Sequence, residues 1–150
     1  MHGATMFTMR QAVRVNLALG FLAVLDSVLA AWGFFFPSAW YSFFHDAPYV
    51  DPQGLLRRCA ANWLAFCFVQ TIALVMWRRH PWWIAVVAGC RIGDCLTDLT
   101  CLAFCNSISN WGVLAFPVAG VGNLAGGVLL IREFIDLSRN AAHTSSPNYS

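Results

Sequence analysis

Three features of the sequence predict an all-α integral membrane protein, a four-helix bundle of antiparallel up-down order. The first is composition: of 150 residues, 59% are hydrophobic and 11% charged, whereas a soluble domain carries roughly 25% charged residues. Mean hydropathy is +0.60. The second is distribution: the apolar residues fall into four stretches, each close to the roughly 20 residues that cross a hydrocarbon core about 30 Å thick. The third is the short connections, which carry arginines, aromatics and prolines.

The first span is predicted over residues 15–36, preceded by Arg10 and Arg14 and closed by Pro37. A signal peptide is the rival reading, because Arg10 and Arg14 resemble an n-region and Val28-Leu29-Ala30 a cleavage site. Hydrophobicity that continues to Phe36, with Asp26 interrupting the late apolar region, favours a span. The connection to Gln53 holds Trp40, Tyr41, Phe43, Phe44 and Tyr49, aromatics that favour the headgroup level. Within it, Ser38 to His45 is predicted as a short interfacial helix, broken by Pro48 and Pro52.

The second span, 59–77, lies between Arg57-Arg58 and Arg78-Arg79. His80-Pro81 makes a short turn into the third span, 82–105, so these two are expected to form an antiparallel hairpin. Asn106 to Trp111 carries turn-forming residues and leads to the fourth span, 112–131. Residues 1–139 are read as one four-span domain and 140–150 as a polar, disordered tail. Arg10, Arg14, Arg78, Arg79, Arg132 and Arg139 fall on one side and Arg57 and Arg58 on the other, which places both termini in the cytoplasm of a multi-pass cell-membrane protein.

Several chemistries lack their sequence signs. A net charge of +2 with scattered arginines leaves no nucleic-acid footprint. The six cysteines all lie in apolar stretches and include no C-x-x-C pair. Cys101 and Cys105 share a helix face, but two sulfurs make an incomplete metal site, and all four histidines lie outside the spans, so no metal is expected. Met1, Met6 and Met9 with His2 would suit copper, but a flexible leader explains them equally well. Asn148-Tyr149-Ser150 matches a glycosylation acceptor, discounted because it sits on the cytoplasmic side at the chain end. No nucleotide loop, zincin motif or Ser/His/Asp order occurs, and no motif names a cofactor.

The chemistry concentrates in the third span, where Arg91, Asp94 and Asp98 each oppose insertion by roughly 2.5–3.5 kcal/mol near a helix centre. At 100° per residue they fall with Cys101 and Cys105 in an arc of about 80°, so this stripe is expected to face inward. Counted from the cytoplasmic boundary, Asp26 lies about 16 Å and Arg91 about 14 Å deep, which predicts their pairing. Arg58 and Asn62 share a face of the second span from which Arg58 would reach Asp98, while Gln70 points about 100° away and is assigned elsewhere. Asn123 lies at mid-depth in the fourth span beside Ala119, Gly120, Gly126 and Gly127, where small residues permit close approach. Gly122 and Gly126 also form a G-x-x-x-G, readable as a dimer motif or as packing within one chain, and Pro117 is a kink candidate.

Asp26, Arg58, Asn62, Arg91, Asp94, Asp98 and Asn123 are thus the candidate network for a ligand or a proton. Intramembrane charges of this kind mark functional sites, although neutralisation and helix register would also explain them. A binding or transport protein is the first reading. A non-catalytic accessory subunit of a membrane complex is the second, and a membrane enzyme acting on a lipid or quinone the third. The expected partners are the lipid bilayer, a small-molecule ligand, and a membrane protein or second copy of the chain.

The plan of four short-looped spans with buried polar residues resembles the DoxX-like proteins and the sterol-isomerase-like EXPERA proteins. Asp26 in the first span and the aromatic, Pro-containing first loop are similar to the latter, whereas Gln70 stands where the second span would carry an acid. No catalytic residue is carried over from either family.

Overall fold

The computed structural model describes residues 8–145, and among them every regular element is helical. Helix α1 spans Met9–Phe35, α2 Pro37–Phe44, α3 Leu55–Met76, α4 Trp82–Phe104 and α5 Asn110–Ser145. Three of these, α1, α3 and α5 up to Asn140, are long and apolar enough to cross a membrane, with mean hydropathies of 1.9, 1.8 and 1.9. Helix α4 has 23 residues, about 34 Å at 1.5 Å per residue. Arg91, Asp94 and Asp98 fall in its middle turns, whereas the other three keep most of their charged residues near one end.

Local chemistry sets the boundaries. Helix α1 starts at Met9, six residues before the expected span, because the Thr8 hydroxyl accepts a hydrogen bond from the Gln11 N–H at 3.2 Å. It stops at Phe35 because Phe36 precedes a proline and takes a non-helical conformation. Pro37 then occupies the first position of α2, where its missing N–H costs nothing. Helix α3 begins four residues earlier than expected. Gly54, at φ 65°, is its N-cap, and the Asp51 carboxylate accepts the Leu55 and Leu56 N–H groups at 2.7 and 2.9 Å. Desolvation opposes ionisation of Asp51. The Leu56 and Leu55 N–H groups, the Tyr49 hydroxyl and the charge of Arg57 outweigh it and hold the carboxyl below its usual range.

Helix α5 is the largest departure from the sequence reading, since it runs as one helix well past Ile131 to Ser145. The expected tail therefore keeps only 146–150, which with Met1, His2, Met6 and the Asn148 acceptor lies outside the described residues. Polar residues extend α5 without breaking it, and Glu133 is tied to Arg14 of α1 at 2.8 Å. Before α5, the Ser109 hydroxyl accepts the Gly112 N–H at 3.0 Å and donates to the Phe43 carbonyl at 2.6 Å. The Ser109 N–H reaches the Phe44 carbonyl at 3.0 Å, and the Asp46 N–H the Ser107 carbonyl at 3.2 Å. These bonds strap the α4–α5 connection to the end of α2.

The helices pack mainly as two pairs, α1 against α3 and α4 against α5. The second and third spans, joined as expected by a short turn at His80-Pro81, touch each other, but α3 and α4 pack less closely on each other than on their other neighbours. On α3 the inward face is Trp63, Phe66, Gln70, Ala73 and Trp77, spaced 3-4-3-4, and this face meets α1 before α4. At one end Val15, Leu19, Ala73, Trp77, Ile84, Val87, Ala88, Leu130 and Leu137 form a closed apolar core, in which the Trp77 indole donates to Asn16 at 2.8 Å. Outside, Leu17, Phe21, Val24, Phe68, Leu96, Val118 and Val121 are exposed. Charged groups inside and apolar groups outside is the arrangement that lipid favours.

Close approach in the α4–α5 pair comes from Gly120 and Gly127, where an added Cβ would stand 3.6 Å from Asp98 Cβ and 3.2 Å from Ile92 Cγ1. Gly122 and Gly126 have open space beside them within the chain. Packing inside the chain therefore does not use the G-x-x-x-G.

Candidate functional site

Arg91 is the centre of the polar network and is 1% exposed. Its guanidinium forks onto Asp26, Nη1 donating to Oδ1 at 3.2 Å and Nη2 to Oδ2 at 2.8 Å, the bidentate geometry that makes arginine–carboxylate pairs strong. Nη2 also lies 2.9 Å from Asp94 Oδ2, one turn along α4, and Nη1 donates to Asn123 Oδ1 of α5 at 3.3 Å. The ring of Phe66 lies 5.4 Å from the guanidinium carbon, within cation–π range. One side chain thus links α1, α3, α4 and α5.

The network extends in two directions. Gln70 Nε2 donates to Asp26 Oδ2 at 2.8 Å, so Asp26, itself 1% exposed, has three donors on its two oxygens. Asn123 Nδ2 donates to Asp98 Oδ2 at 3.2 Å, which leaves Asp98 with a neutral partner. The structure therefore brings together Asp26, Arg91, Asp94, Asp98 and Asn123. It leaves Arg58 and Asn62 exposed on the far side of α3, a correction to the contact expected between Arg58 and Asp98. Gln70 takes their place. The sequence signal for it was the 3-4-3-4 stripe of large residues on α3, which identifies the inward face more securely than the polar pair near the helix end.

A cavity of about 490 Å³ opens on this network, within the size range of small-molecule sites, about 300–1,000 Å³. Asp26, Arg91, Asp94, Thr97, Asp98 and Asn123 form its polar part. Leu22, Leu25, Trp40, Phe44, Trp63 and Phe116 are prominent in its apolar wall. Helix α2 contributes Trp40 and Phe44, so the predicted interfacial helix is a wall of the cavity. Among the described residues, three buried polar atoms of this region have no hydrogen-bond partner: Trp40 Nε1, Gln70 Oε1 and Arg91 Nε. Buried groups left in this way are uncommon and call for an explanation. Cys105, at the end of α4, places its sulfur 3.4 Å from His45 Nδ1, which also faces the Ser107 carbonyl at 3.2 Å.

Comparison of the chain with family models, with curated proteins and with solved structures finds no match in any of the three. The resemblance in plan to DoxX-like and EXPERA proteins gains no support from them, and the reading of function rests on the cavity itself.

Proposed function

We propose that this chain is a four-span membrane protein, with α4 as the additional span and both termini cytoplasmic, whose cavity binds a small molecule. Asp26 and Arg91 set the floor, while Asp94, Asp98 and Asn123 provide the groups that meet the ligand. The observation that carries this reading is the union of a cavity of about 490 Å³ with apolar walls and a polar floor drawn from α1, α4 and α5. An accessory subunit needs the Asp26–Arg91 bridge to join its helices, but it has no use for an open cavity lined by two further acids.

Native mass spectrometry of the full chain, purified in detergent, tests the proposal. The wild type is expected to retain a small molecule that Asp98→Asn loses, with folded content and abundance of the variant unchanged. A wild type without retained mass, combined with lowered abundance of Asp98→Asn, would favour the accessory subunit.

A further inference from the structure

The charges around the cavity do not balance. Its lining holds three carboxylates, Asp26, Asp94 and Asp98, and one cationic side chain, Arg91; ionised together they leave two negative charges in excess. Both terminal nitrogens of Arg91 are engaged, with Asp26, Asp94 and Asn123. Among the described residues no cationic side chain forms an ion pair with Asp98, which has Asn123 and the cavity, and Arg91 acts on it only from beyond contact. A carboxylate at a low-dielectric wall is costly unless paired, and an anionic ligand would worsen the imbalance. A cation relieves it.

The rest of the wall specifies what kind of cation. A metal ion needs a dense shell of oxygen ligands, whereas most of this wall is aliphatic and aromatic. Trp40, Phe44, Trp63 and Phe116 offer π faces, which attract organic cations, and about 490 Å³ accommodates a body well beyond a lone ammonium. Independently of the acids, Trp40 is 8% exposed, forms part of the wall and keeps an indole N–H without a partner among the described residues. A bound molecule bearing an acceptor beside its cationic group would satisfy that donor. Resting on the binding reading above, we propose that the occupant is a hydrophobic organic cation, an amine whose ammonium group sits against Asp98 and Asp94 and whose apolar body lies among these aromatic rings.

The test uses three probes of matched body: the tertiary amine N,N-dimethyl-4-phenylbutylamine, the alcohol 5-phenylpentanol and the carboxylate 5-phenylpentanoate. Each is titrated at neutral pH into the detergent-purified full chain, with tryptophan fluorescence and melting temperature as readouts. The amine is expected to bind at least about tenfold more tightly than the alcohol, and the carboxylate not measurably. Asp98→Asn is expected to erase the preference for the amine while leaving weak binding of the alcohol, which reports an intact cavity. Equal or tighter binding of the alcohol or carboxylate overturns the cation assignment and leaves the binding proposal standing. So does a retained molecule found to be neutral or anionic. No binding of any probe, together with no retained molecule, overturns both.

Discussion

Replacing Asp26 with Asn leaves the Arg91 guanidinium, 1% exposed, without the carboxylate that occupies both its terminal nitrogens. Removing one partner of a buried ion pair costs about 3–5 kcal/mol when the other charge is left uncompensated, and Asp94, 2.9 Å from Arg91, keeps the loss of Asp26 near the lower end. Asp26→Asn and Arg91→Gln are each expected to lower unfolding stability in detergent by about that amount, and the double variant by clearly less than their sum. A denaturant titration of the four proteins measures this, and additive losses would mean the pair is not coupled. The pair was legible in the sequence, because two charges at similar depth in apolar helices have few other partners. Gln70 was missed although it lies on the 3-4-3-4 stripe of large residues on α3, because a neutral amide carries no charge that demands a partner. Asp51 offers a residue-scale test outside the helices. Its lowered pKa means the stability it adds is present above the usual carboxylate range and is lost as pH falls through the lowered value. The melting-temperature gap between wild type and Asp51→Ala is therefore expected to be constant near neutrality and to close below about pH 4. A gap unchanged at acid pH would show that the carboxylate is not the cap.

At the scale of elements, glycines distinguish contact from open space. A Cβ at Gly112 would collide with the Phe44 carbonyl at the end of α2, where the Ser109 bonds already hold the two segments together. Gly112→Ala is expected to destabilise by about 1–3 kcal/mol, the usual cost of overpacking. Gly122→Ala and Gly126→Ala, with nothing within 4 Å, are expected to be neutral or slightly stabilising, since Ala favours helix over Gly by up to about 1 kcal/mol. Thermal melting of the three variants separates these outcomes, and a Gly126 variant that melts as early as the Gly112 variant would contradict the packing described. Helix existence was legible from hydropathy and from Pro37, which ends α1 and opens α2. Helix ends were less so: α5 continues through Arg132, Glu133 and Asp136, because leaving an apolar environment does not end a helix that has no breaker. Nor does chain adjacency decide partnership. The turn at His80-Pro81 joins α3 to α4, yet their apolar faces are used mainly on α1 and α5.

The whole molecule has a solid end and a hollow one. The solid end is the apolar core around Leu19, Trp77 and Leu130. The hollow end is the cavity bounded by α2 and floored by the Arg91 network. Lipid gives no hydrophobic advantage to burying leucine against leucine, so polar bonds between helices, each worth about 0.6–2 kcal/mol, weigh more than in a soluble core. The sequence carried the inside-out character of the chain through composition alone. It could not carry the cavity, which exists only where five separate helices fail to fill the space between them. Every property proposed for that cavity depends on α4 crossing the bilayer with Arg91, Asp94 and Asp98 at depth. Topology reporters fused after His80 and after Ser107 measure this directly. The first is expected on the cytoplasmic face and the second on the opposite face. Both reporters on one face would mean that α4 does not span, and that its charges meet water at a surface instead of one another in a sealed interior.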